Sequence, residues 1–88
     1  MALSITIDGE NVPEGYRIRT FPRFITLACL VSIADYDKIT PYMFRATIDY
    51  KVLISNPKNK AKINLVKIPL NVQNVRFHPK SVEYIIEK

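Results

Sequence analysis

The chain has few of the residues on which cofactor and metal chemistry depends. Its 88 residues include one cysteine, one histidine, two glycines and no tryptophan. Cys29 has no partner for an internal disulfide, and Cys29 and His78 together are too few ligands for a zinc site. Gly9 and Gly15 lie in an acidic segment without the lysine and hydroxyl residue of a Walker motif, which excludes a P-loop. We therefore expect no cofactor and no metal site.

The chain also lacks an apolar run long enough to cross a bilayer as a helix. The longest such run, residues 24–34, has eleven residues, whereas a spanning helix needs about 20. The N-terminal segment has neither the basic region nor the apolar core of a signal peptide. Cys29, inside this apolar run, is predicted to be a buried, reduced thiol. We therefore expect a soluble intracellular protein without a membrane span, located in the host cytoplasm if it is viral.

No group of residues resembles a catalytic site. A general base needs an orienting partner and a nucleophile within reach, and the sequence neighbours of His78 are Phe77 and Pro79, which supply neither. Asp35 and Asp37 are followed at once by a lysine, with no third ligand and no glycine turn for a cation. The sequence therefore predicts no catalytic residues, and we do not expect an enzyme.

Positive charge is concentrated in the body of the chain. Residues 1–15 contain three acids and no base, and residues 16–88 contain all 13 lysines and arginines against five acids. A basic body favours an anionic partner through long-range attraction. The total of +5 also lies in the range that simply keeps small domains in solution, so the charge alone does not decide between the two roles.

A strict period of two is the strongest pattern that is present. Seven consecutive even positions are apolar: Tyr42, Phe44, Ala46, Ile48, Tyr50, Val52 and Ile54. A helix would scatter these side chains around its axis, whereas a strand places them all on one face. Residues 42–54 are therefore predicted to form one strand, which at about 3.4 Å per residue is roughly 44 Å long.

Residues 61–72 are predicted to return antiparallel to this strand, giving one long hairpin, 42–54/61–72. The apolar residues change from odd to even positions between Leu65 and Val66. A one-residue β-bulge explains that change, and the resulting register places the bulge opposite Tyr50. The polar residues 55–60 are predicted to connect the two strands.

Alternation also predicts strands at residues 3–7, 16–20, 24–34 and 81–87, with the first two paired as a hairpin around the acidic loop 8–15. The chain is then a single all-β domain, residues 1–88. It would be a small antiparallel β-sandwich or open barrel of about six strands. If residues 22–36 are helical instead, the class becomes α+β with that helix packed across the sheet.

Two sets of outward residues are candidate sites. Basic positions form a candidate face for an anionic partner: Arg17, Arg19, Arg23, Arg45, Lys51, Lys62 and Lys67. The predicted strand places its aromatic residues on the opposite, apolar face, which disfavours stacking with nucleic-acid bases. Apolar residues on otherwise polar faces form a candidate self-association set: Met43, Leu53 and Ile85.

These patterns predict a small non-enzymatic binding module that self-associates and engages a protein partner. A 44 Å hairpin is long for so small a domain, and long strand edges favour pairing with a second subunit, most simply as a two-fold dimer. The many Ile, Lys and Asn residues and the absence of Trp are compatible with an AT-rich genome, which suggests a viral or phage accessory or structural protein. The alternative is a nucleic-acid-binding protein that uses the basic sheet face.

Overall fold

The computed structural model describes residues 1–55 and 60–88, which form eight β-strands and one α-helix. The strands are β1 (Ala2–Glu10), β2 (Arg17–Phe21), β3 (Phe24–Val31), β4 (Arg45–Asp49), β5 (Lys60–Lys62), β6 (Asn64–Lys67), β7 (Val72–His78) and β8 (Ser81–Glu87). The helix α1 is Tyr50–Ser55, and two 3₁₀ segments are Ile33–Lys38 and Pro41–Met43. Strands account for 57% of the described residues, which confirms the all-β class as a small fold with a curled half-barrel sheet.

The helix considered for residues 22–36 is not formed. Most of that segment is β3, in which Ile25, Leu27 and Cys29 are buried and the residues between them are exposed. This alternation buries one face of a strand, as the sequence predicts. Only a 3₁₀ segment follows, at Ile33–Lys38.

The strands form two sheets, one of which has both parallel and antiparallel strand pairs. One sheet has the order β6-β4-β1-β3-β7 and the other has the order β2-β8-β5. Within the first sheet β1 and β4 are parallel, and the other pairs are antiparallel. The expected hairpin between residues 3–7 and 16–20 is wrong, because β3 and β4 occupy both edges of β1 and β2 pairs with β8 instead.

The long hairpin 42–54/61–72 is also wrong in its length and register. The strand β4 begins after the 3₁₀ segment Pro41–Met43 and ends after five residues, where α1 begins. Asp49 accepts the backbone N–H of Lys51 at 2.9 Å through its side chain, which is how a capping residue starts a helix. On the returning side β6 pairs with β4 but β5 pairs with β8. Residues 42–54 therefore do not form one 44 Å strand. The length of that strand cannot serve as an argument for a second subunit.

The predicted bulge is confirmed at its position in the sequence. Arg45 lies opposite Lys67 and Ala46 lies opposite Leu65, so Val66 is the extra residue of β6. Its partner differs from the expected one, because the bulge faces the start of β4 and not Tyr50. The polar connection predicted at 55–60 falls largely on residues 56–59, which lie outside the described residues.

One apolar cluster draws residues from both sheets. Ile5 and Ile25 come from the five-stranded sheet, and Ala61 and Val82 come from the three-stranded sheet. The last strand, β8, has the predicted bounds 81–87. The molecule measures 45 × 23 × 18 Å. None of the helices within residues 1–55 and 60–88 is long and apolar enough to cross a membrane.

Candidate functional site

The outward face of the five-stranded sheet aligns basic and aromatic residues across four strands. Arg45 of β4 lies beside Lys67 of β6, and Thr6 of β1 lies beside Phe24 of β3. The strands β1 and β4 are parallel, and Ile7 pairs with Ala46. The residues before this pair, Thr6 and Arg45, are therefore also neighbours. Residues directly opposite one another in neighbouring strands share a face. We call this alignment of Lys67, Arg45, Thr6 and Phe24 the outward row.

An open cleft of about 520 Å³ lies along the outward row, and Thr6, Tyr42, Arg45 and Lys67 are among its lining residues. Tyr42 is 92% exposed, whereas the sequence pattern predicts it to be inward. The reason is local, since the 3₁₀ segment Pro41–Met43 takes Tyr42 out of the alternation of β4. An aromatic ring therefore does share a surface with basic side chains, contrary to the sequence-based expectation.

A second cleft, of about 400 Å³, lies between β1 and β2, where the two sheets adjoin. We call it the seam groove. Arg17, Arg19 and Arg23 line it together with Thr6 and Glu87. Because Thr6 lines both clefts, the seam groove adjoins the cleft on the outward row.

The ion pairs in these clefts leave most of the positive charge unmatched. Arg19 binds Glu87 at 3.1 Å, but Arg17 and Arg23 form no salt bridge with the described part of the chain. The Nε of Arg45 is 4.0 Å from a carboxylate oxygen of Asp8, and both side chains are about half exposed. Such an exposed pair contributes about 0–1 kcal/mol, so Arg45 can exchange Asp8 for another anion at little cost.

Five of the seven predicted basic residues are thus brought together, and two are not. Arg17, Arg19 and Arg23 line the seam groove, and Arg45 and Lys67 line the neighbouring cleft. The other two, Lys51 in α1 and Lys62 in β5, line neither cleft.

The three residues expected to mediate self-association do not form a common surface. Leu53 is only 6% exposed, because α1 turns it into the core. Met43 is partly buried against the same core. Ile85 of β8 is about half exposed, and it lies opposite Arg19 on the three-stranded sheet. Of the three, only Ile85 is available to a partner.

A different apolar surface was missed. Leu30 is more than half exposed, Ile33 is 96% exposed and Leu70 is fully exposed. Leu30 and Leu70 line one cleft of about 430 Å³ where β3 ends and β7 begins, and Ile33 starts the 3₁₀ segment that follows β3. We call Leu30, Ile33 and Leu70 the β3–β7 patch. Alternation in β3 could have indicated Leu30, since it occupies an even position where odd positions are buried.

The described residues offer little for catalysis or metal binding. His78 is exposed on β7 opposite Thr26, and its ring makes no hydrogen bond with another side chain in residues 1–55 and 60–88. Within the same residues no three His, Cys, Asp or Glu side chains are grouped so that they could hold a metal ion.

No family model matches the chain, and no curated protein and no solved structure is significantly similar to it. The candidate sites among the described residues are therefore the two basic clefts and the β3–β7 patch.

Proposed function

We propose that this chain is a non-enzymatic interaction module that self-associates and engages a protein partner. The observation that supports this function is the β3–β7 patch, in which Leu30 and Leu70 line one cleft and Ile33, three residues after Leu30, is 96% exposed. Isolated apolar side chains are common on protein surfaces, but contiguous exposed patches mark sites of interaction.

The size of the patch favours a second copy of this chain as its occupant. Burying one Leu or Ile side chain contributes about 1.5–3 kcal/mol, so three contribute roughly 5–9 kcal/mol. Association costs about 4–15 kcal/mol in lost freedom, so three side chains alone give weak binding at best. A two-fold dimer buries the same patch from both copies. Burial in both copies doubles the favourable free energy to roughly 9–18 kcal/mol. This gain is larger than most values in the roughly 4–15 kcal/mol range of the association cost.

The protein partner would bind at the edges of the two sheets. The strands β2, β5, β6 and β7 each end a sheet, and β7 is the longest of them, with seven residues. Unpaired strand edges accept an added strand through main-chain hydrogen bonds. The same proposal includes an intracellular location and a viral or phage accessory or structural role. The buried free thiol of Cys29 and the chain's Ile-, Lys- and Asn-rich composition support these two points.

Sedimentation velocity tests self-association from low to several hundred micromolar protein. We expect the wild-type chain to change from monomer to dimer mass over this range. Leu70→Asp should weaken the dimer by at least about 100-fold, because it removes two buried leucines from one two-fold interface. Ile85→Asp is the matched control, since Ile85 is a half-exposed apolar residue outside the patch, and it should dimerise like the wild type.

Two results would contradict this assignment. A monomer mass at every concentration would rule out self-association. A dimer that Leu70→Asp leaves intact would move the interface away from the β3–β7 patch. A separate experiment, cross-linking in the native cell, identifies the protein partner. The wild type, Leu70→Asp and Ile85→Asp are compared in it.

Nucleic-acid binding through the basic sheet face is a second candidate function. It is favoured by the position of Tyr42, which is exposed in the same cleft as Arg45 and Lys67. Aromatic and basic side chains on one sheet surface are the usual means of binding unpaired bases together with their phosphates. A gel shift at low salt with mixed DNA and RNA oligonucleotides tests this function, and no shift of either would contradict it.

A further inference from the structure

We propose that the two basic clefts form one track for single-stranded nucleic acid, with aromatic stacking as well as phosphate contacts. This inference rests on the second candidate function and specifies its ligand class. The track runs from the cleft at Tyr42, across Thr6, into the seam groove. The two clefts adjoin because Thr6 lines both of them.

Two exposed aromatic rings lie along this track. Tyr42, 92% exposed, lines the first cleft. Phe24, 51% exposed, lines neither cleft but lies directly opposite Thr6, the residue that lines both. Thr6 and Phe24 share a face because they are directly opposite in antiparallel strands. A base can stack on such a ring only when it has left its own stack, which occurs in single strands and not within a duplex. The aromatic residues therefore favour a single strand.

Basic side chains flank the rings on both sides. Arg45 and Lys67 line the cleft that contains Tyr42, and Arg17 and Arg23 line the seam groove beyond Thr6. Arginine binds phosphate oxygens in a bidentate manner. Arg19 is already held by Glu87 at 3.1 Å, so we assign phosphate contacts to the other four. The cleft volumes of about 520 and 400 Å³ are in the range of sites for small ligands, which suits individual nucleotides.

Fluorescence anisotropy with a labelled oligothymidylate of about twelve nucleotides, a length within known single-strand site sizes, tests the ligand class. The comparison probe is a duplex of the same length. We expect the single strand to bind at least tenfold more tightly at about 50 mM salt. Four phosphate contacts predict a slope of roughly −3 for log K against log salt, since single strands release about 0.7 counterions per contact.

Matched variants separate stacking from charge. Tyr42→Ala and Phe24→Ala should each weaken oligothymidylate binding by roughly 5- to 150-fold, the usual loss for one stacked base. Tyr36→Ala is the control, because Tyr36 is a half-exposed aromatic residue of the 3₁₀ segment Ile33–Lys38 that neither lines a cleft nor lies opposite a residue that does. Arg23→Ala should reduce the salt slope by about 0.7, whereas Lys62→Ala should leave it unchanged. A thermal melt of each variant verifies that it is folded.

The possible results separate failure of the single-strand track from failure of nucleic-acid binding itself. If neither probe nor an RNA oligonucleotide binds at low salt, both nucleic-acid binding and the single-strand track are overturned. If the duplex binds as tightly as the single strand, or if both aromatic variants bind like the wild type, only the track is overturned. If polyglutamate displaces the oligonucleotide as well as unlabelled oligothymidylate does, the clefts serve an acidic protein and the inference fails.

Discussion

Asn11 donates a hydrogen bond from its side-chain amide to Oδ1 of Asp49 at 3.1 Å, across 38 positions of sequence. The same carboxylate oxygen accepts the backbone N–H of Lys51 at 2.9 Å. Asp49 thus connects the loop after β1 to the first turn of α1. The hydrogen bond from Asn11 is the main cause that lowers the pKa of Asp49 below its ordinary value of 3.8, and the backbone N–H and the charge of Lys51 lower it further.

Replacing Asp49 tests this connection. We expect Asp49→Ala to lower the Tm by about 4–8 °C, because α1 loses its capping side chain. Asp49→Asn should lower the Tm much less, since asparagine caps helices about as well as aspartate. Thermal unfolding followed by circular dichroism measures both. Equal losses in the two variants would show that the cap is not what Asp49 contributes.

The pKa of Asp49 also predicts a dependence of stability on pH. A carboxyl group whose pKa is lowered by folding stabilises the folded state above its unfolded pKa, and this contribution is lost as the pH falls through the folded pKa. The free energy of unfolding of the wild-type chain should therefore fall more steeply than that of Asp49→Asn from about pH 5 downward. Urea denaturation over a series of pH values measures the difference, and parallel curves would contradict it.

Tyr42 and Phe44 should differ sharply in their importance for stability. Phe44 is buried in the core and Tyr42 is almost fully exposed. We expect Phe44→Ala to reduce the free energy of unfolding by about 3–5 kcal/mol, and Tyr42→Ala to change it by no more than about 0.5 kcal/mol. Chemical denaturation of the two variants checks this. Similar losses would instead support the inward position of Tyr42 that alternation predicts.

Gly9 should resist substitution because of one neighbour. A Cβ at Gly9 would lie 2.8 Å from Cγ2 of Val12, and overpacking of this kind costs about 1–3 kcal/mol. In a Val12→Ala background the cost of Gly9→Ala should fall, which a double-mutant cycle measures. Gly15 is the control. Its φ of +87° strains any other residue, and its Cβ would meet no atom within 4 Å, so Val12→Ala should not relieve Gly15→Ala.

Much of the fold could be predicted where the pattern concerns a single strand. The buried odd positions of β3 and the bounds of β8 follow from alternation alone, and so does the bulge at Val66. Five of the seven basic residues that the sequence singles out line two adjoining clefts, and their role as a binding face stays a prediction. The exposed aromatic ring of Tyr42 and the β3–β7 patch were not predicted.

The alternation from Tyr42 to Ile54 shows the limit most clearly. A helix over the same residues instead groups Tyr50 with Leu53, three positions later and outside the alternating set, on one side. The hydrogen bonds of Asp49 stabilise the start of α1 at Tyr50. A hydrogen bond from Asn11, 38 residues away, does not appear in any local pattern. The long strand was therefore wrong for a reason that lies outside its own sequence.

By itself, the sequence determined the all-β class, the inward face of β3, the bounds of β8, the bulge and the excess of positive charge. These follow from side-chain alternation and composition, which are properties of short segments. Only the tertiary structure decided that β1 lies between β3 and β4, that Leu53 is buried and that Tyr42 shares a cleft with Arg45. Strand pairing depends on contacts between distant segments, and many pairings bury similar apolar area, so alternation within each strand cannot choose among them.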